Sequence, residues 1–247
     1  MSNILVNIKG LDSKEFPKGV TPLQIMKDIK GVSKDSIICK IDGELKDLSS
    51  TLKKDCELQF MDAKSKDGHS VLLHSTAHLM AQAVKRLFPK TKVTIGPYLE
   101  NRFYYDFDVE TPFTEDDLLK IENEMIKISE ENHEITHEVK SRDEALTYFE
   151  KIEENYKVEI INDLDKDEIL KVYSQGEFTD LCRGPHVQST GQIKHFKLLS
   201  SSAAYWRGDE KNQTLQRVYG TSFQNGKDLK KYLLMLEEQK KRDHRKI

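Results

Sequence analysis

Two histidines four residues apart have the type and spacing needed to bind a metal ion or to activate water. His74 and His78 lie in residues 70–88, where apolar residues recur at helical spacing. Positions four apart in a helix differ by about 40° around the axis, so both imidazoles should project from one face. Metalloproteases of the HExxH type share this spacing, but they carry a glutamate directly after the first histidine. Ser75 occupies that position here, so the sequence is a poor match to a protease of this type.

A second pair of the same spacing occurs far along the chain. Cys182 and His186 flank a Gly-Pro dipeptide, which predicts a bend. Thiolate and imidazole are zinc ligands, as are the two histidines of the predicted helix. We expect the two stretches to form one site. The alternative, four unrelated polar or half-buried side chains, stays open on spacing alone.

Three further side chains accompany these pairs. Asp180 could orient an imidazole and fix its tautomer. Arg183 could bind a phosphate or carboxylate, or form an ordinary exposed salt bridge. Lys157 precedes the apolar run 158–161, which predicts a strand, and nothing in its spacing distinguishes it from a surface lysine.

Composition restricts the class of protein. The 247 residues carry 33% charged residues and a formal net charge of −3, so no overall basic field indicates nucleic acid. No apolar run is long enough to span a membrane, and the first residues do not form a signal peptide. Three scattered cysteines do not predict disulfides. We expect no membrane association and a cytoplasmic location.

The first sixty residues predict a small β-grasp (ubiquitin-like) domain. Strands are expected at 4–8, 15–16, 36–41 and 56–61, with a helix that begins at Thr21-Pro22. Nothing in this part is typical of a catalytic site, so we expect a recognition module. The polar stretch 64–68 ends in glycine and is the expected domain boundary.

The remainder predicts a larger α+β domain. Phe103, Tyr105 and Phe107 share one face of a strand at 101–109. His133 and His137 fall near a predicted strand, which would separate them, and we expect both at the surface. Further elements are expected as helices from 114 and over 142–152, closing strands at 205–209 and 215–219, and a basic final helix from 226.

Taken together, these residues resemble the amino-terminal region of the bacterial threonyl-tRNA synthetase family over nearly the whole chain. Alanyl-tRNA synthetase editing domains share only the histidine and cysteine–histidine elements. The stretches that carry the resemblance are His74-Ser75-Thr76-Ala77-His78, Ile95-Gly96-Pro97, Phe103-Tyr104-Tyr105-Asp106-Phe107, Glu154-Asn155-Tyr156-Lys157, Thr179 to His186, Ala204 to Gly208, and Lys241 to Lys246.

The resemblance implies an α+β chain with a β-grasp TGS domain at 1–63, an editing domain at 64–224 and a linker helix at 225–247. It implies hydrolysis of seryl-tRNA(Thr) formed in error, with the tRNA(Thr) acceptor end and the catalytic domain of a parent synthetase as partners. That catalytic domain would lie beyond Ile247, so we expect no ATP binding and no aminoacylation by this chain.

The resemblance also assigns the site. It implies a pocket lined by His74, His78, Lys157, Asp180, Cys182 and His186, with Tyr105 as a weaker candidate; Tyr105 and Arg183 are our substrate-binding candidates. We expect metal-free hydrolysis, although His74, His78, Cys182 and His186 would be the ligands if zinc were bound. A fragment that binds tRNA with an inert pocket, and a structural zinc domain, are the alternatives.

Overall fold

A computed structural model describes residues 2–244, with six α-helices and thirteen strands among them. The α+β class predicted from the sequence is confirmed. Three sheets are present in this part of the chain, and the helices pack against them. Within these residues, no helix is long and apolar enough to cross a membrane.

The amino-terminal sheet has five strands: β1 (Asn3–Ile8), β2 (Lys14–Pro17), β3 (Ser36–Ile41), β4 (Glu44–Lys46) and β5 (Cys56–Asp62). Their order across the sheet is β2-β1-β5-β3-β4. Helix α1 (Pro22–Asp28) begins as predicted, because Thr21 caps it and Pro22 takes its first position. Ile25 of this helix and Val6 of the first strand are fully buried in their common core.

The histidine-bearing helix α2 (Lys66–Leu87) starts one turn earlier than predicted. The polar stretch 64–68, where the sequence predicts a domain boundary, lies at the start of this helix: Ser65 caps it and Gly68 lies in its first turn. A Cβ on Gly68 would lie 1.9 Å from the carbonyl oxygen of Asp62. Only glycine lets β5 and α2 approach this closely.

A second five-stranded sheet packs against α2. Its strands are β6 (Lys92–Val93), β7 (Tyr98–Leu99), β8 (Arg102–Asp108), β12 (His195–Tyr205) and β13 (Thr214–Phe223). Their order is β12-β13-β8-β6, and β7 pairs with β8. Phe103, Tyr105 and Phe107 share one face of β8, as the alternation predicted. The structure shows that this face meets α2 and is fully buried. The predicted strand at 205–209 is wrong, since Tyr205 ends a long strand and Trp206–Gly208 form a 3-10 turn.

The third sheet carries the cysteine–histidine stretch at the end of a hairpin. Strands β10 (Leu170–Gln175) and β11 (Phe178–Leu181) form the hairpin, and β9 (Ile135–Lys140) pairs with its outer edge. His133 and His137 are separated as predicted, but both are half-buried rather than at the surface. Nδ1 of His137 lies 3.6 Å from the carboxylate of Asp47.

Four more helices complete the chain, and one of them corrects a prediction. Residues 157–161 belong to helix α5 (Asn155–Asp163), so the strand predicted there is wrong. A short apolar run does not by itself separate strand from helix, and packing of Tyr156, Lys157 and Ile161 selects the helix. The others are α3 (Glu115–Glu131), α4 (Arg142–Lys151) and α6 (Gly226–His244). The final basic stretch extends to Lys246, past the described residues.

Candidate functional site

The structure brings the two remote stretches into one cluster. The ligand-type atoms of His74, His78, Cys182 and His186 all lie within 4.8 Å of one another. The ring of His186 stacks on that of His74 with centroids 4.6 Å apart and lies 4.3 Å from that of His78. Helix α2 supplies one wall of the cluster, and the turn after β11 supplies the other.

His74 is the member of the cluster best suited to accept a proton. Its ring Nδ1 lies 3.2 Å from the carbonyl oxygen of Gly96, and only an N–H can bond to that oxygen. The neutral ring therefore keeps Nε2 free as an acceptor. Burial lowers the pKa of His74, which keeps the ring neutral at pH 7. The side chain is half-buried and so retains access to solvent.

His186 is held between a hydroxyl and a thiol. Ser75 Oγ accepts a bond from the Val187 amide at 3.1 Å and lies 3.0 Å from Nδ1 of His186. Because Ser75 is fully buried, its own hydrogen needs an acceptor, and Nδ1 provides one. The proton of His186 is then on Nε2, 3.1 Å from Sγ of Cys182. Burial lowers the pKa of His186 well below its ordinary value and raises the pKa of the Cys182 thiol.

A buried ionic network lies behind His78. Lys157 is 2% exposed, and its ammonium donates to the carbonyl of Thr94, to the hydroxyl of Tyr105 and to Asp180, whose Oδ1 is 2.5 Å away. Tyr105 in turn donates to Oδ2 of Asp180 at 2.7 Å. Nε2 of His78 lies 3.4 Å from the same oxygen. Burial lowers the pKa of His78, as do the nearby His74 ring and the Lys157 ammonium, so the His78 ring is neutral.

Six of the candidates named from the sequence thus meet in one place, and Tyr105 joins them through Asp180. Arg183 does not. Its side chain is 80% exposed and forms a salt bridge with Glu168 at 2.8 Å. In this structure it therefore has the ordinary surface role that the sequence left open.

Several residues of the site were not found from the sequence. The sequence pattern gives Ser75 no role beyond the missing glutamate, although its place inside the histidine pair is a signal. Gly96 belongs to a motif that carries the resemblance but has no predicted role. Its carbonyl orients His74, and a Cβ there would lie 2.3 Å from the Tyr105 ring. Asp47 and Tyr173 contact the cysteine–histidine turn from other elements, and nothing local in the sequence indicates this.

The donor set fits zinc in type and in number. Nδ1 of His74 bonds to the Gly96 carbonyl and Nε2 of His78 lies 3.4 Å from Asp180. The other nitrogen of each of these two rings is available to a metal, an arrangement usual for metal-binding histidines. If zinc were bound, His74, His78, Cys182 and His186 would be its ligands, with the thiol deprotonated. Four protein ligands complete a tetrahedral structural site and leave no position for water.

Comparison with known proteins first gives the class. Residues 170–219, which include the β10–β11 hairpin and the cysteine–histidine turn, match the family described as the threonyl and alanyl tRNA synthetase second additional domain. This match covers the part of the site that follows α5.

Longer similarities are to threonine–tRNA ligases. The chain is 50% identical over 235 residues, or 95% of its length, to a threonine–tRNA ligase of Symbiobacterium thermophilum. It is 51% identical over its full length to that of Pelobacter propionicus, and 47% identical over 98% of its length to that of Rickettsia peacockii. The chain spans 36% to 39% of the length of these relatives. This similarity over nearly the whole chain fits the amino-terminal editing region of threonyl-tRNA synthetases.

Proposed function

We propose that this chain hydrolyses the ester bond of seryl-tRNA(Thr), as the editing region of a threonyl-tRNA synthetase. The observation that supports this most directly is the state of His74. A neutral, half-buried imidazole with a free Nε2 lies beside two more imidazoles and a thiol, on the face of α2 that meets the turn after β11. Such an imidazole is suited to take a proton from water.

The proposed reaction has two steps. Nε2 of His74 accepts a proton as the water oxygen attacks the ester carbonyl carbon, which gives a tetrahedral intermediate. The carbon–oxygen bond to the terminal ribose then breaks, and the leaving oxygen takes the proton from the imidazolium. Serine and tRNA(Thr) are released. His78, Cys182 and His186 line the pocket, while Asp180 and Lys157 hold His78 in one tautomer.

Tyr105 connects this network to β8 and helps to shape the pocket that receives the seryl group. Serine differs from threonine by one methyl group, and a single binding site discriminates one methyl by only about 1 to 3 kcal/mol. A second, tighter site that excludes the larger amino acid would supply the remainder. His186 packs against His74 and His78, and His78 also lies edge-on to Tyr105 and Phe178, a crowded arrangement that favours such a size limit.

The domain organisation is also a proposal. We assign a TGS domain of the β-grasp type to 1–63, the editing domain to 64–224 and a linker helix to 225–247. The strand order of the first sheet, with its first and last long strands parallel at the centre, supports the β-grasp assignment. The acceptor end of tRNA(Thr) and the catalytic domain of a parent synthetase are the proposed partners, in the cytoplasm.

We propose that the hydrolysis needs no metal and no ATP. A zinc ion held by all four donors would occupy the free Nε2 of His74 and leave no position for water. In that state the site would be structural, which is the second candidate function, and the zinc-type donor set is what favours it. Stoichiometric zinc in a preparation that hydrolyses seryl-tRNA(Thr), with loss of the activity on chelation, would contradict the metal-free proposal.

The test compares hydrolysis of seryl-tRNA(Thr) and threonyl-tRNA(Thr) by this chain and by His74→Ala. Loss of a general base is expected to slow seryl ester hydrolysis by about a hundredfold or more, while threonyl-tRNA(Thr) survives throughout. His195→Ala, a change on β12 outside the cluster, is the matched control and should keep full activity. Bound tRNA with hydrolysis no faster than background would favour the inert tRNA-binding fragment instead.

A further inference from the structure

A carboxylate of the amino-terminal sheet reaches the back of the candidate site. Asp47 follows β4 directly and is 7% exposed. Its Oδ1 accepts a bond from the backbone amide of His186 at 2.9 Å. Its Oδ2 accepts a bond from the hydroxyl of Tyr173 at 2.8 Å. One side chain therefore binds both the turn that carries His186 and the strand that supports this turn.

Tyr173 connects Asp47 to the cysteine–histidine turn. Its ring lies 4.5 Å from that of His186, centroid to centroid. Its hydroxyl lies where a Cβ on Gly184 would be, at 1.9 Å, and Gly184 has φ +68°. Burial, followed by the charge of Asp47, raises the pKa of Tyr173, so the hydroxyl stays protonated and donates. The turn is thus packed against a phenol whose orientation Asp47 sets.

The boundary around Asp47 is closely packed. The side-chain amide of Gln188 donates to the carbonyl of Ile37 at 2.6 Å, and Lys40 pairs with Asp67 of α2 at 2.6 Å. Ile37 and Ile38 of β3 are buried in the same core as α2 and β8. The first sheet is therefore fixed against the site, so a hydrogen bond across this boundary can control positions within it.

We propose that Asp47 is a positioning residue of the hydrolytic site, and that the amino-terminal sheet is a structural part of that site. This inference rests on the function proposed above. Asp47 holds the backbone of His186 so that its ring lies between His74 and His78 and its Nε2 faces Cys182. Without the carboxylate, the His186 amide and the Tyr173 hydroxyl lose their acceptor and the turn can shift. Displacement of a reacting group by about 1 Å can lower a rate by about a hundredfold.

Four variants distinguish a role of Asp47 in positioning the turn from a role in folding. Asp47→Ala removes both bonds. Asp47→Asn retains an acceptor for His186 and offers an N–H to the Tyr173 oxygen, so it should rescue the site. Asp55→Ala is the matched control, because Asp55 accepts from the Leu5 amide at 2.8 Å in the same sheet, a bond of the same kind that does not involve the turn. Tyr173→Phe removes one of the two bonds and serves if Asp47→Ala does not fold.

The first measurement is single-turnover hydrolysis of seryl-tRNA(Thr). We expect Asp47→Ala to be slower by about tenfold or more, with the half-saturating enzyme concentration within about twofold of wild type, since the substrate contacts are unchanged. Tyr173→Phe should show a smaller loss of the same kind, and Asp47→Asn and Asp55→Ala should remain close to wild type. Equal rates for Asp47→Ala and Asp55→Ala, or equal losses for Asp47→Ala and Asp47→Asn, would overturn the proposal.

The second measurement does not depend on activity. Alkylation by iodoacetamide under native conditions, mapped by peptide mass, should be faster at Cys182 in Asp47→Ala than in wild type. Cys39, fully buried in the first sheet, should stay protected and so excludes global unfolding. Unchanged Cys182 reactivity would overturn the proposal. If wild type lacks hydrolysis but Asp47→Ala alone exposes Cys182, the proposed function fails while the positioning role of Asp47 stands.

Discussion

Ser75 shows how one hydroxyl fixes the chemistry of a neighbouring ring. It accepts from the amide of Val187 and donates to Nδ1 of His186, so it joins α2 to the residue after the turn. The N–H on Nε2 of His186 is thereby directed to the sulfur of Cys182. An imidazole whose tautomer is fixed keeps the wall of the pocket in one arrangement, which lowers the reorganisation needed for reaction.

Ser75→Ala should therefore slow hydrolysis of seryl-tRNA(Thr) by about tenfold, because the tautomer of His186 is no longer fixed and the buried Val187 amide loses its acceptor. The assay is the deacylation rate at saturating enzyme. Ser70→Ala, on the same helix, removes a hydroxyl that bonds only to the carbonyl of Lys66 and should have no effect. Equal rates for Ser75→Ala and Ser70→Ala would exclude the tautomer role.

Residue types and spacing predicted the histidine pair and the cysteine–histidine pair, because helical geometry and the Gly-Pro bend are local properties. Asp47 and Tyr173 could not be predicted in this way. Each acts through a hydrogen bond to a residue far away in the chain, and such a bond exists only after the sheets pack. Arg183, next to Cys182 in the sequence, points to Glu168 at the surface. Closeness in sequence did not determine which side chains face the pocket.

At the scale of elements, the turn between β11 and His186 depends on a backbone that only glycine adopts easily. Gly184 has φ +68°, and the hydroxyl of Tyr173 occupies the space of a Cβ. Gly184→Ala combines a left-handed backbone with a clash against a phenol fixed by Asp47. We expect a loss of about 2 to 4 kcal/mol in the free energy of unfolding, measured by urea denaturation.

The chain offers a control that separates the two causes. Gly208 also has positive φ, at +72°, but nothing lies within 4 Å of the position of its Cβ. Gly208→Ala should therefore show only the backbone effect, about 1 kcal/mol. If both substitutions destabilise the protein equally, contact with Tyr173 contributes nothing at Gly184.

Helix α5 marks the limit of pattern analysis for elements. The run Val158-Glu159-Ile160-Ile161 suits a strand by composition, yet it forms a helix whose inner face carries Lys157. Glu154, which is 2% exposed, accepts from the Val93 amide and from Lys85, and so ties the start of this helix to β6 and α2. These contacts arise from tertiary packing, which overrides the preference of a short apolar run.

At the scale of the whole molecule, the site lies where all three sheets meet α2. The second sheet contributes Tyr105, the third contributes Asp180 and the cysteine–histidine turn, and the first contributes Asp47. The sequence predicted the α+β class and most strands of the first sheet, because alternation and turn residues are local. It did not predict the β10–β11 hairpin that joins these parts. The meeting of three sheets follows from packing, which no single segment encodes.

This arrangement buries His74, His78 and His186 together, and their pKa values are lowered chiefly by burial. In the unfolded chain each ring binds a proton below about pH 6.5, whereas in the folded protein it stays neutral to lower pH. The unfolded state thus binds more protons as the pH falls, and acid destabilises the fold. Stability should be complete above about pH 7 and fall below about 6.5, by up to about 1.4 kcal/mol per pH unit for each ring.

Urea denaturation at pH 7.5, 6.5 and 5.5 measures this effect, and His186→Asn should reduce the slope. The pH range in which stability is lost distinguishes the histidine rings from the carboxylates. Glu131, for example, has a pKa lowered to about 2 by its bond to Arg86, so any stability it contributes is lost only below about pH 4.5. A wild-type slope that stays flat between pH 7.5 and 5.5 would mean that the buried rings accept protons in the folded state. His74 would then titrate as in the unfolded chain, and burial would not be what keeps it neutral.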